Sequence, residues 1–133
     1  MHALHRINDM EVRVCPLQYS RPRQLDIAQI EPAPYVEFLN LVTGARAVIT
    51  DSGGLQEETT YLGIPCLTLR ENTERPITVT LGTNKLVNAQ SLAQHLESIL
   101  NGEWHKGQRP PLWDGETAAR AVECLRRRAI PDV

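Results

Sequence analysis

The segment Val48-Ile49-Thr50-Asp51-Ser52-Gly53-Gly54-Leu55-Gln56-Glu57-Glu58 constrains the fold more than any other part of the chain. A short β-like run stops at a polar glycine turn, and a helical pattern then runs on to Gly63. Strand, turn and helix in that order open a βαβ unit, which implies a parallel sheet. The turn also has chemical consequences. It points free backbone N–H groups, and the positive end of a helix dipole, at one spot. Gly53 and Gly54 lack Cβ, so a phosphate can come close to the backbone, and Ser52 adds a hydroxyl donor. Such a cradle sits at the carboxyl end of its strand, where open α/β sheets bind ligands. The same residues also suit a plain N-cap, with Asp51 or Ser52 closing helix N–H groups and the glycines only permitting the turn. The segment is neither a G-x-G-x-x-G fingerprint nor a P-loop, which needs a Lys.

The rest of the chain continues the alternation. Residues 12–17 and 25–30 are β candidates at the N-terminus. Pro34 suits the first turn of a helix over Tyr35–Thr43, with Val36, Leu39 and Val42 on one face and Gly44 at its end. Residues 46–50 read as a short buried strand, 55–62 as a helix ended by Gly63, 66–69 as a strand, 71–76 as a polar loop and 85–87 as a last strand. Ser91 can cap a helix that buries Leu92, Leu96, Ile99 and Leu100 and stops at Gly102. A final helix spans 116–129 with Ala118, Ala121, Val122 and Leu125 on its apolar face. The expected fold is α/β, a parallel Rossmann-like sheet with flanking helices.

Composition excludes several classes. The chain has 133 residues, enough for one domain with a real core, and a formal net charge of -2 with both signs interspersed. A nucleic-acid surface needs a basic excess in one place, so no nucleic-acid partner is expected. Arg126-Arg127-Arg128 suits a helix C-terminus, where the macrodipole favours cations. No apolar run approaches the roughly 18 residues that span a bilayer, and the N-terminus carries His2, His5 and Arg6 but no apolar signal-peptide region, so neither membrane nor export is expected. Cys15, Cys66 and Cys124 are far apart and odd in number, which suggests reduced, core-packed thiols and a cytoplasmic setting. The four histidines show no zinc spacing.

Helical spacing separates the two carboxylates after the turn. Glu58 lies three residues after Leu55 and four before Leu62, on the face expected to be buried. Glu57 is about 100° away and can reach solvent. A carboxylate turned inward needs partners, and two ribose hydroxyls would supply them. Leu69-Arg70-Glu71-Asn72-Thr73-Glu74-Arg75-Pro76 follows the next strand, so it falls at the same edge as the glycine turn. An Arg there can clamp phosphate with its planar fork, and Arg70 and Arg75 are both candidates. Pro76 stiffens the segment that holds Arg75.

These motifs, with Leu62-Gly63-x-Pro65, Leu81-Gly82-Thr83-Asn84, Trp113-Asp114-Gly115 and Glu31-Pro32-x-x-Tyr35-x-x-Phe38-Leu39, resemble the non-hydrolysing UDP-N-acetylglucosamine 2-epimerases. The likeness covers residues from about 30 to 125 and keeps several separate motifs in order. It implies part of the C-terminal domain of a GT-B fold, in which two Rossmann-like domains face each other across a cleft. It implies that Ser52, Gly53 and Gly54 hold the diphosphate of UDP-GlcNAc or UDP, with Arg75 assisting. Glu58 would hold the ribose, and Phe38 would pack against uracil. The implied reaction interconverts UDP-GlcNAc and UDP-ManNAc by elimination and re-addition of UDP, and consumes no cofactor.

The resemblance also has gaps. In the family the groups that exchange the C2 proton, mostly carboxylates, come largely from the N-terminal half, which this chain does not match. His5-Arg6-Ile7-Asn8 stands at the spacing of a family His-Pro-Arg-Thr segment, with the Pro missing, so His5 is the one catalytic candidate here. Asn88 replaces an expected Gly. The expected organisation is a poorly matched segment at 1–29, a UDP-sugar-binding domain at 30–129 and a tail at 130–133. Such a chain is expected to be inactive alone. It would be completed by a separate N-terminal-domain chain, or self-associate through uncovered apolar surface. The alternatives are a non-catalytic UDP-sugar-binding module and the nucleotide half of a GT-B glycosyltransferase.

Overall fold

The computed structural model describes residues 13–14, 28–29 and 32–129, and the chain divides into two compact units, Met1–Asn40 and Leu41–Val133. In the first unit, β1 (Arg13–Val14) pairs in parallel with β2 (Ala28–Gln29) in the register Arg13↔Ala28 and Val14↔Gln29. Both fall inside the expected β runs, whose remaining residues lie outside the described ones. Helix α1 (Tyr35–Thr43) has the expected ends and carries on into the second unit. Its apolar stripe is buried only at the C-terminal end. Val42 is 4% exposed, whereas Val36 is 69% exposed, contrary to the even burial that periodicity suggests.

The second unit is built on a parallel sheet of β3 (Val48–Thr50), β4 (Cys66–Thr68) and β5 (Asn84–Leu86), in the order β3-β4-β5. The registers Val48↔Cys66 and Cys66↔Asn84 bring the three strands level. Between them run α2 (Gly53–Leu62) and α3 (Pro76–Thr80), and α4 (Leu92–Leu100) and α5 (Thr117–Ala129) follow. Central β4 is buried along its length. Strand β3 has a neighbour on one side only among the described residues, so Ile49 stays exposed and the expectation of a buried strand at 46–50 does not hold.

The core joins Leu67, Val87, Leu96 and Ile99, with Ala47, Leu92, Leu100 and Trp104 packed against it. The inward stripe of α4 is therefore the one its 3.6-residue period gives. Its entry differs from expectation. Ser91 makes no side-chain cap to the helix; the Ser91 N–H donates to Asn88 Oδ1 at 2.9 Å and the Asn88 N–H donates to Ser91 Oγ at 3.2 Å. A reciprocal turn led by Asn88 does the work assigned to Ser91, which gives Asn88 a purpose a Gly could not serve. The short helix α3 was not expected. Pro76 at its first position is pre-set for a helix, and five residues are too few for periodicity to show.

Helix α5 has no buried residue, so the expected inward face of Ala118, Ala121, Val122 and Leu125 is uncovered. Cys124 on the same helix is exposed, whereas Cys66 is buried as expected. Asp114 organises the start of α5. Its carboxylate accepts two bonds from the Arg120 guanidinium, at 2.8 and 3.0 Å, and one from the Glu116 N–H at 3.0 Å. Chiefly the Arg120 bonds, then the Glu116 amide, lower its pKa to about 2. A depressed acid favours the folded arrangement above its ordinary pKa of 3.8 and loses that contribution as pH falls towards 2. Carboxyl NMR should show Asp114 titrating near 2, and returning towards the ordinary range in Arg120→Ala. Because both side chains are open to solvent, the effect should be confined to the first turn of α5. No helix among the described residues is long and apolar enough to cross a membrane.

Candidate functional site

Parallel strands send their carboxyl ends to one edge of the sheet. Three connections start there: Asp51-Ser52 into α2, residues 69–75 into α3, and the Asn88 turn into α4. The glycine turn and the arginine segment therefore share an edge, as the sequence suggests.

Helix α2 begins at Gly53, two residues earlier than the apolar pattern indicates, so Gly53 and Gly54 form its first turn. Ser52 precedes it in an extended conformation, φ -82° and ψ 129°. Its side chain makes no cap bond to the helix, and its own N–H donates to Thr50 Oγ1 at 3.0 Å. Ser52 is thus not acting as the plain N-cap. The helix ends at Gly63, left-handed at φ 74°, whose N–H closes on the Thr59 and Thr60 carbonyls.

Gly54 has no folding reason to be glycine, and Gly53 has only a side-chain carboxylate in the way. Neither has the positive φ that excludes other residues. A Cβ on Gly54 would meet only Ser52 Oγ, at 4.0 Å. A Cβ on Gly53 would meet the flexible end of Glu74, with Oε1 at 2.5 Å. Two glycines at helix positions cost stability relative to Ala. What their bareness provides is access to the backbone N–H groups of a helix start.

The segment after β4 lines the same place with charge. Arg70 Nη1 pairs with Glu74 Oε2 at 3.1 Å, and Arg75 Nε lies 3.0 Å from Glu57 Oε2. The second pair is held by charge more than by hydrogen bonding, since that N–H is not aimed at the oxygen. Glu74 reaches the first residue of α2. Its pKa is lowered mainly by a bond from its own backbone amide, then by Arg70 and Arg75.

The side of α2 against the sheet corrects an expectation. The fully buried stripe is Gln56, Thr59 and Thr60, while Leu55, Glu58 and Leu62 lie half-buried beside it. Part of this polar stripe is satisfied, while Gln56 Nε2 and Thr60 Oγ1 are buried without a hydrogen-bond partner. Thr59 Oγ1 donates to the Leu55 carbonyl at 2.6 Å, and Gln56 Oε1 accepts from Thr73 Oγ1 at 2.6 Å and from Asn84 Nδ2 at 3.1 Å. Periodicity counts apolar residues, so it points to the wrong side. Gln56, Glu57 and Glu74 stand within the quoted motifs, but only their geometry gives them a part. Phe38 is half-buried on α1, in the first unit, and His5 lies outside the described residues.

Fold and edge together define the class: a Rossmann-like α/β unit with a bare helix start and an arginine segment at the carboxyl ends of its strands. Residues 3–126 match the family described as UDP-N-acetylglucosamine 2-epimerase, and the chain belongs to that family.

The UDP-N-acetylglucosamine 2-epimerase of Methanocaldococcus jannaschii is 45% identical over 98 residues, 72% of this chain and 26% of that protein. The Escherichia coli K12 enzyme is 36% identical over 111 residues, covering 79% of this chain and 30% of its own length. Among solved structures, the M. jannaschii enzyme in complex with UDP-GlcNAc and UDP matches with a TM-score of 0.62 at 44% identity, over 75% of this chain and 28% of that one. The Neisseria meningitidis enzyme bound to UDP-GlcNAc gives 0.64 at 35% identity, over 77% and 29%. The structural neighbours have the GT-B fold, so the expected fold class holds. The chain spans under a third of the length of these relatives.

Proposed function

We propose that this chain is the UDP-holding part of a UDP-GlcNAc 2-epimerase. The observation that carries the reading is the bareness of the α2 start: two glycines that no φ angle or backbone neighbour requires, beside Ser52 and Arg75. The M. jannaschii relative whose structure holds UDP-GlcNAc and UDP supports the ligand class. In this reading Ser52, Gly53 and Gly54 hold the diphosphate and Arg75 adds a charge-assisted contact. Glu58 accepts from the ribose. The role of Phe38 against uracil rests on the resemblance alone, because Phe38 belongs to the other compact unit.

The chemistry follows from charge. When the bond between the sugar C1 and the diphosphate oxygen breaks, negative charge builds on the β-phosphate. Preorganised N–H dipoles and a guanidinium stabilise that charge without having to reorient. Inversion at C2 further requires a base and an acid, which this reading assigns to a separate N-terminal domain. The chain alone then binds UDP without epimerising UDP-GlcNAc. Solvent-deuterium exchange at C2 by the chain alone would contradict that assignment; exchange that appears only with an added N-terminal domain agrees with it.

Gly54→Ala separates ligand access from folding. The added methyl has open space and a better helix former, so the melting temperature should hold or rise. UDP affinity should fall about tenfold, one lost backbone contact to a charged oxygen. An unchanged affinity in calorimetry would remove the cradle from the reading.

A further inference from the structure

We propose that Gln56 and Thr73 form a strut that positions Arg75 for the diphosphate, a role that rests on the UDP reading above. Arg75 is held by both of its peptide groups. Its N–H donates to Thr73 Oγ1 at 2.9 Å, and its carbonyl accepts from Thr78 Oγ1 at 2.7 Å and from the Thr78 N–H at 3.0 Å. The Thr73 hydroxyl donates a hydrogen bond to Gln56 Oε1 at 2.6 Å. Gln56 in turn accepts from Asn84 Nδ2 at 3.1 Å, which also donates to Thr78 Oγ1 at 3.1 Å. Asn84 is anchored on β4 by the Thr68 hydroxyl, which donates to its Oδ1 at 2.6 Å.

This network joins the glycine helix, two strands and the arginine segment through Gln56, Thr68, Thr78 and Asn84, each at most 1% exposed. Stability alone does not call for it. A well-packed apolar core serves as well, and here the Gln56 Nε2 donor is buried without a partner. What directional bonds add is location: they fix the backbone of Arg75 relative to the N-terminus of α2. Both ends of the diphosphate grip, helix dipole and guanidinium, are thereby set against one buried reference, Gln56.

Calorimetry with UDP on the full chain tests this, using Thr73→Val, Thr73→Ser, Arg75→Ala and the Thr73→Val/Arg75→Ala double variant. Valine keeps the shape of threonine and removes both bonds; serine keeps the hydroxyl. Thr73→Val should weaken UDP by about tenfold and Thr73→Ser by about twofold or less, consistent with one or two lost bonds. In the Arg75→Ala background Thr73→Val should have no further effect, because a positioning residue acts only through what it positions. Thr73→Val binding like the wild type, or adding its full penalty to Arg75→Ala, would overturn the strut. If Thr73→Val does not fold, Thr73→Ala is read by the same criteria. Absence of UDP binding by the wild-type chain would instead sink the parent reading. Amide exchange at Arg75 then judges the strut itself: faster exchange in Thr73→Val supports it, and unchanged exchange refutes it.

Discussion

Replacing Arg75 by Ala should weaken UDP binding by about 10- to 150-fold in calorimetry, the equivalent of one charge-assisted hydrogen bond of about 1.5–3 kcal/mol. The substitution also leaves the Glu57 carboxylate, now 3.0 Å from the guanidinium, without its counter-charge near the proposed diphosphate position. That repulsion pushes the effect towards the larger end. Folding should hardly change. The two side chains are 40% and 42% exposed, and pairs so open to solvent contribute about 0–1 kcal/mol at most. A large loss of affinity with an unchanged melting temperature therefore marks Arg75 as a ligand contact. Equal affinity would take Arg75 out of the site, while no binding by the wild-type chain would take the UDP site out of this chain.

The largest effect on stability should come from Gly82→Ala. Gly82 is buried, and a Cβ there would press into the side chain of Thr60 and lie 2.5 Å from the Thr78 carbonyl oxygen. Thr60 is itself 2% exposed and Thr78 fully buried, so neither can easily retreat. Gly107 approaches the other side, where its own Cβ would come within 2.7 Å of the Gly82 backbone. Overpacking of this kind costs about 1–3 kcal/mol. In a domain of this size each kcal/mol lowers the melting temperature by roughly 4–8 °C. A thermal melt should thus fall by several degrees at least. A shift within one degree would mean that the contact relaxes freely and that Gly82 is not a packing requirement.

Much of the second unit was legible in the sequence because its signals are local. Glycines at 53, 63 and 102 mark one helix start and two helix ends, and the β-branched run Val48-Ile49-Thr50 marks the strand before them. What was misread depends on partners remote in sequence. The inward face expected through Leu55, Glu58 and Leu62 gives way to Gln56, Thr59 and Thr60, with Gln56 bonded by Asn84 and Thr73. Asn88 looks like a departure from Gly until Ser91 is seen to bond it in return. Helix α5 reads as a packed amphipathic helix, yet its apolar face is uncovered, since a pattern states what could be buried and not against what. At the site, the spacing of Ser52, Gly53, Gly54 and Arg75 was readable. The approach of Glu74 to Gly53 was not, because a close contact across a loop leaves no periodic trace.

The registers Val48↔Cys66 and Cys66↔Asn84 each join residues eighteen positions apart, in chain order. The entropy of closing a loop rises only with the logarithm of its length, so the two closures cost the same and neither waits for a distant segment. Such a sheet can form in the order in which it is synthesised, one crossover after the other. Because every rung forms in parallel and level with the last, the connections at the carboxyl ends are gathered on one rim by the pairing itself. The shared edge of the glycine turn and the arginine segment is then an outcome of strand pairing.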